Sequence, residues 1–165
     1  MKIKRASYAI IALFFTLLLP LLSSCSDSGD KDKVITVAED DPNMTAAIAN
    51  ARSLLPRFWQ MFDHREHGET DFCLKVKITD KGKAEHFWAV NIERKDGKIF
   101  GTINNDPEIV HNVKIGDRIP IPEDDISDWL YMQNGKMFGN YTLRVLFKQM
   151  SASEVEKYKA MLADP

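Results

Sequence analysis

Between residues 71 and 80 the chain alternates apolar and polar positions. Phe72, Leu74, Val76 and Ile78 share one side of an extended strand, with Lys75 and Lys77 on the other. A second alternating run, "AEHFWAVNIERK", puts His86, Trp88, Val90 and Ile92 on one face. A three-residue loop over Lys81, Gly82 and Lys83 would set Ile78 opposite His86, Val76 opposite Trp88, Leu74 opposite Val90 and Phe72 opposite Ile92. A slip by one residue would turn one apolar set away from the other. Asp96-Gly97 is a two-residue hairpin signal that pairs this strand with "KIFGTIN", placing Ile103 opposite Val90. Gly101 then faces Ile92, where a side chain would crowd the sheet or a ligand could approach. Residues 105–108 and Gly116-Asp117 read as turns, and Pro120 makes the strand around 118–121 an edge. Asn134-Gly135 closes a last hairpin, with Tyr131 opposite Phe138 and Met132 opposite Met137.

The pattern on either side of these strands has helical spacing. Met44, Ile48 and Leu55, with Ala47 and Ala51, form one stripe. Asp41 is placed to cap it and Pro42 sits in the first turn, where a missing N–H costs nothing. Pro56 breaks the helix, and Phe58, Trp59 and Phe62 continue it as a second short piece whose aromatics pack in the core. After the last hairpin, Leu143, Leu146, Phe147 and Met150 share a face. Ser151 and Glu154 form a capping-box pattern ahead of Val155, Tyr158 and Leu162. With a short strand at residues 34–37, the order is helix, strands, helices. The expected fold is α+β: an antiparallel sheet of five to six strands with an N-terminal helix and C-terminal helices.

The N-terminus follows a different pattern. Lys2, Lys4 and Arg5 precede an almost wholly apolar run over residues 8–22. Fifteen residues are short of the about 20 needed to span a bilayer, so the segment reads as a secretory signal. It ends in Leu22-Ser23-Ser24-Cys25, which resembles the bacterial lipobox, where the signal is cut before the cysteine and the thiol carries a diacylglycerol. Two or three acyl chains anchor stably where one does not. Ser26, rather than Asp, resembles the signal for export to the outer membrane. The expected organisation is a signal peptide over 1–24, a lipidated cysteine and flexible tether over 25–33 ("SDSGDKDK"), and one domain over 34–165, facing the periplasm. The leader holds three bases and no acid. The remaining 141 of 165 residues therefore carry 19 Lys and Arg against 24 Asp and Glu, a charge of −5. No basic stripe remains, which argues against nucleic acid as a partner. With Cys25 lipidated, Cys73 is left as a buried free thiol or as half of an intermolecular disulfide.

Three stretches invite a chemical reading. In "DHREHGETD" (63–71), His64 and His67 are spaced to share a metal on a helix, but Gly68 ends any helix there. A solvated connector is the preferred reading. In "EHFWAV", Glu85 and His86 point to opposite faces, so they do not act together. His86 is a half-buried histidine bonded to backbone or a general base in a cleft, with Asp128 of "DISDWL" as its candidate orienting group. Asp128 could equally bond backbone N–H groups at a turn. No P-loop, dinucleotide fingerprint, nucleophile motif or zinc signature is present, so no cofactor is implied.

"AEHFWAVNI", "GTINNDPEIVHNVKIGDRIPI", "ISDWLY" and "GNYTLRVL" resemble the YegJ-like family of uncharacterised bacterial proteins, domain of unknown function 2314. The matching positions are Glu85, His86, Trp88, Gly101, Asn105, Pro107, Gly116, Asp117, Asp128, Trp129, Gly139 and Thr142. The resemblance runs from about Asp41 to the end. It implies a small α+β domain and assigns no catalytic residue. The expectation is a non-enzymatic envelope lipoprotein that binds a protein or peptide through Glu85, His86, Trp88, Asp128 and Trp129. The alternatives are a hydrolase-like enzyme using His86 with Asp128, and a metal-binding protein using His64 and His67.

Overall fold

The computed structural model describes residues 8–11, 35–38 and 41–163. Helix α1 (Pro42–Ser53) begins where Asp41 accepts the N–H groups of Asn43 (2.8 Å) and Met44 (2.9 Å), with Pro42 in the first turn. It stops three residues before Pro56, and α2 (Leu55–Asp63) continues with that proline in its own first turn. The strands follow: β3 (Thr70–Asp80), β4 (Lys83–Lys95), β5 (Lys98–Ile103), β6 (Arg118–Pro120), β7 (Ile126–Gln133) and β8 (Lys136–Gly139). The chain closes with α3 (Tyr141–Leu146), a 3₁₀ turn at Phe147–Gln149, and α4 (Ala152–Met161) with the reciprocal Ser151–Glu154 cap.

Strands β3 to β8 form an antiparallel sheet, so the fold is α+β as expected. β4 is flanked by β3 on one edge; its other edge pairs with β5 along its second half. Two further strands extend the sheet. β1 (Tyr8–Ile11) runs parallel to β4 at Glu85 and His86, and β2 (Ile35–Ala38) pairs with β1. The strand expected at 34–37 is thus found one residue later. The apolar run expected to lie outside the domain contributes β1. Cys25 and the tether lie outside the described residues.

Helices α1 and α2 cover one face of the sheet. Ala51, Leu55 and Phe58 pack there on Phe72, Leu74, Val76, Ile126, Trp129 and Tyr131. Phe58 lies 5.6 Å from the Trp129 ring, and Trp129 Nε1–H donates to Ala51 O at 2.8 Å. The opposite face buries Trp88, Leu130 and Met137 against Met161 and Leu162. The segment after α4 lies along β8: Leu162 bridges Met137, and Ala163 N–H donates to Met137 O at 2.8 Å.

Two expected registers are corrected. The β3–β4 loop has two residues, Lys81 and Gly82, both at positive φ (49° and 77°), so Asp80 pairs with Lys83. Such a turn matches the twist of the strands it joins. It places Ile78 opposite Glu85, Val76 opposite Phe87 and Leu74 opposite Ala89. His86 and Trp88 therefore lie on the face of Lys75 and Lys77. In the β4–β5 pair, a bulge with Asn91 at φ 49° shifts Ile103 from Val90 to Ala89. Gly101 is still crowded: an added Cβ would lie 3.0 Å from both Ala89 Cβ and Ile92 Cδ1. The Asn134-Gly135 hairpin has the expected register.

Candidate functional site

Glu85 and His86 stand on opposite faces of β4, and each is committed to a different piece of scaffold. Glu85 is fully buried on the face shared with Ile78 and Phe87. Its Oε2 accepts the N–H groups of Ile109 (2.9 Å), Val110 (3.2 Å) and Glu108 (3.2 Å), and Oε1 also accepts from Glu108 (3.0 Å). Successive N–H groups converging on one anion form a concave nest, here filled by the protein's own carboxylate. Asn105 anchors the start of the same loop, its Oδ1 accepting Trp88 N–H at 2.9 Å.

On the other face His86 Nδ1 lies 2.8 Å from Ser127 Oγ. The serine hydroxyl also lies within donating distance of Lys75 O, at 3.2 Å. The 2.8 Å contact fits either tautomer, Nδ1–H donating to Ser127 or the serine hydroxyl turned toward a bare Nδ1. Burial, reinforced by the charges of Lys75 and Lys77, pushes the His86 pKa down to about 3, so the ring is neutral at ordinary pH. Ser127 stands where the β3–β7 register shifts between Lys75 and Val76.

One residue further on, Asp128 lies directly across from Lys75, and both are buried. Asp128 accepts the N–H groups of Trp129 (2.9 Å), Tyr141 (3.2 Å) and Thr142 (2.7 Å), and the hydroxyl of Thr142 (2.7 Å). Lys75 Nζ donates to Thr142 Oγ1 at 3.2 Å and lies 5.2 Å from the Trp88 ring centre. Burial lowers the Lys75 pKa to about 8, against the favourable charge of Asp128. Burial likewise raises that of Asp128, against Lys75 and the hydrogen bonds it accepts. Thr142 thus relays between cation and carboxylate, and the cluster ties the first turn of α3 to the middle of the sheet.

The five candidate residues are not gathered at an exposed cleft. Glu85 and Trp129 belong to the helix-covered face, His86, Trp88 and Asp128 to the other, and all are at most 6% exposed. His86 meets Ser127, not Asp128. His64 ends α2 and is exposed, and His67 is exposed with Nδ1 3.6 Å from Glu69 Oε1. Among the described residues no three His, Cys, Asp or Glu side chains converge as a metal site. Cys73 is half-buried and unpaired; its Sγ donates to Asp71 O at 3.3 Å, and burial with the Asp71 charge pushes its pKa to about 12.

Lys75 and Ser127 are the members of the buried network that the sequence pattern does not single out. Lys75 alternates with Leu74 and Val76 and so looks solvated. Its burial follows from β3 being a central strand with both faces covered.

The family described as an uncharacterised protein conserved in bacteria (DUF2314) matches residues 41–163. The chain belongs to this family. It is similar to the uncharacterised protein YegJ of Escherichia coli (strain K12), with 32% identity over 159 residues, covering 96% of this chain and 98% of that protein. It is also similar to a putative ankyrin repeat protein of Neisseria meningitidis serogroup B, with 32% identity over 138 residues, 78% of this chain and 54% of that protein. No solved structure matches. The matched region starts at the Asp41 cap and ends at Ala163 on the β8 edge. Several positions carrying the family resemblance are structural in this chain: Glu85 and Asn105 hold the loop after β5, Asp128 and Thr142 hold α3, and Trp129 binds α1.

Proposed function

We propose that this protein is a lipid-anchored protein of the bacterial envelope, facing the periplasm from the outer membrane, whose domain binds a protein or peptide without catalysing a reaction. The observation that carries the reading is the way the acidic side chains of the motifs are used. The oxygens of Glu85 and Asp128 are occupied by backbone N–H groups of the protein itself, so these residues build a scaffold. The anchoring part rests on the Cys25 motif at the end of the apolar run. Cleavage before Cys25 would take Tyr8–Ile11 away with the leader and leave the β4 edge at Glu85 and His86 to β2 or to solvent.

A hydrolytic reading has one observation in its favour, the 2.8 Å contact between Ser127 and His86. The ring is too weakly basic to act near neutral pH, and both side chains are buried.

The experiment has two arms. In cells fed labelled palmitate, the wild type should incorporate label and shorten, while Cys25→Ser should stay at precursor length without label. Normal maturation of that variant would overturn the anchor. Affinity capture from detergent-solubilised envelope should return the same partner repeatedly. The absence of any reproducible partner would count against the binding module.

A further inference from the structure

Beyond Leu74 and Ala89 the two central strands part: β3 continues to Thr70 and β4 to Lys95, but their ladder ends at that pair. Each strand is irregular where they separate, β3 between Thr70 and Cys73 and β4 between Val90 and Glu93. Asp71 (φ 52°) and Asn91 (φ 49°) occupy the left-handed region there. Asp and Asn tolerate this conformation, and each lies where its strand's pairing is irregular. The parted strands contribute to a cavity of about 340 Å³, at the small end of the range for small-molecule sites.

Its lining mixes apolar side chains with polar groups, among them two of opposite charge. Phe62, Phe72, Val90 and Ile92 line it, together with Arg65 and Asp71. The Arg65 guanidinium lies over two rings at once, 4.6 Å from the Phe62 centre and 4.7 Å from that of Phe72, and its Nε donates to Phe62 O at 3.2 Å. This fixes the guanidinium plane and leaves both Nη groups without a hydrogen-bond partner among the described residues. Asp71 accepts one hydrogen bond at its carboxylate, from the Thr70 hydroxyl at 3.0 Å. Arg65 and Asp71 line one cavity without pairing with each other. A held guanidinium suits a carboxylate, and an under-used carboxylate suits an ammonium.

We propose that the gap between β3 and β4 binds a small zwitterion with an apolar body, an α-amino acid or a dipeptide, its carboxylate on Arg65 and its ammonium on Asp71. This rests on the binding-module reading and gives it a place and a ligand class. A free amino acid and a dipeptide share this chemistry and differ in the distance between their charges.

The test is calorimetric titration of the detergent-solubilised full-length protein with leucine, with leucyl-leucine and with N-acetyl-leucinamide, which lacks both charges. One of the first two should bind, and the tighter identifies the source. The blocked compound should bind at least tenfold more weakly. Arg65→Gln and Asp71→Asn should each weaken binding tenfold or more, while Arg94→Gln, whose guanidinium pairs with Asp63, should not. Equal binding of the blocked compound, unchanged affinity in both variants, or no heat and no shift of the Asn91 and Cys73 amide signals at millimolar ligand would each overturn the site. A captured envelope protein that binds wild type reproducibly, together with no binding of leucine or leucyl-leucine, would overturn the site while leaving the binding module intact.

Discussion

His86 titrates in the opposite sense to a histidine that gains an acidic partner. Its pKa is lowered from 6.5 to about 3 by burial and two nearby lysines, so between those values the unfolded chain binds a proton that the fold excludes. Its contribution to stability is complete above about pH 6.5 and is lost as the pH falls towards 3. From pH 7 to 5 the loss amounts to about 2 kcal/mol. Urea unfolding of His86→Gln should show a flatter pH dependence than wild type over that window; parallel curves would mean that the ring is not held neutral. Asp128 poses a different problem, because its removal strands both N–H groups at the start of α3 and the Lys75 ammonium. Asp128→Ala should cost about 3 kcal/mol or more. Adding Lys75→Met should restore part of that loss, a coupling that a double-mutant cycle would measure. That Asp128 bonds backbone was one of the readings open from the sequence. That its partners come from residues 141 and 142 was not, since nothing local reveals which N–H groups a buried carboxylate will meet.

At the level of elements, turn chemistry was legible and strand facing was not. Asn134-Gly135 determines its hairpin locally, and Asp41, Pro42, Ser151 and Glu154 mark helix ends by groups that bond within a few residues. The facing of β4 differs from the expected one because its residues from Ala84 to Ala89 are buried on both faces. Alternation cannot say which side of such a strand faces which layer. The bulge at Asn91 escaped for a similar reason, since one extra residue leaves no mark on an apolar pattern. Two glycines of one hairpin separate turn geometry from packing. At Gly135 (φ 74°) an added methyl meets open space, so Gly135→Ala should cost about 1 kcal/mol. At Gly139 (φ 81°) the same methyl would overlap Trp129 O and the Trp129 ring. Gly139→Ala should therefore cost more than about 3 kcal/mol, read as the fall in the urea midpoint. Similar losses for both would show that Trp129 can move aside.

For the molecule as a whole, chain order anticipated the class, helix then strands then helices, but not the sharing of labour between distant segments. Glu85 is tied to residues 108–110 and Trp129 to Ala51, contacts that no periodicity encodes. The candidate residues are polar groups beside tryptophans in the sequence. In the folded chain the same combination is a way of fastening a sheet to its two layers, and the groups left over for a ligand are Arg65 and Asp71, from the connector read as solvated.

The strand of residues 136–139 would be an open margin of the sheet but for residues 160–163. Leu162 bridges Met137, Ala163 N–H bonds Met137 O, Lys136 Nζ donates to Ala160 O, and Arg144 donates to Ala163 O. An unpaired margin is a template for another molecule's strand. Residues 160–163 thus work as a gasket along this strand. A chain ending at Met161 should still fold, yet sediment increasingly as dimers and larger species as its concentration rises. A strictly monomeric truncated protein would show that solubility is set elsewhere.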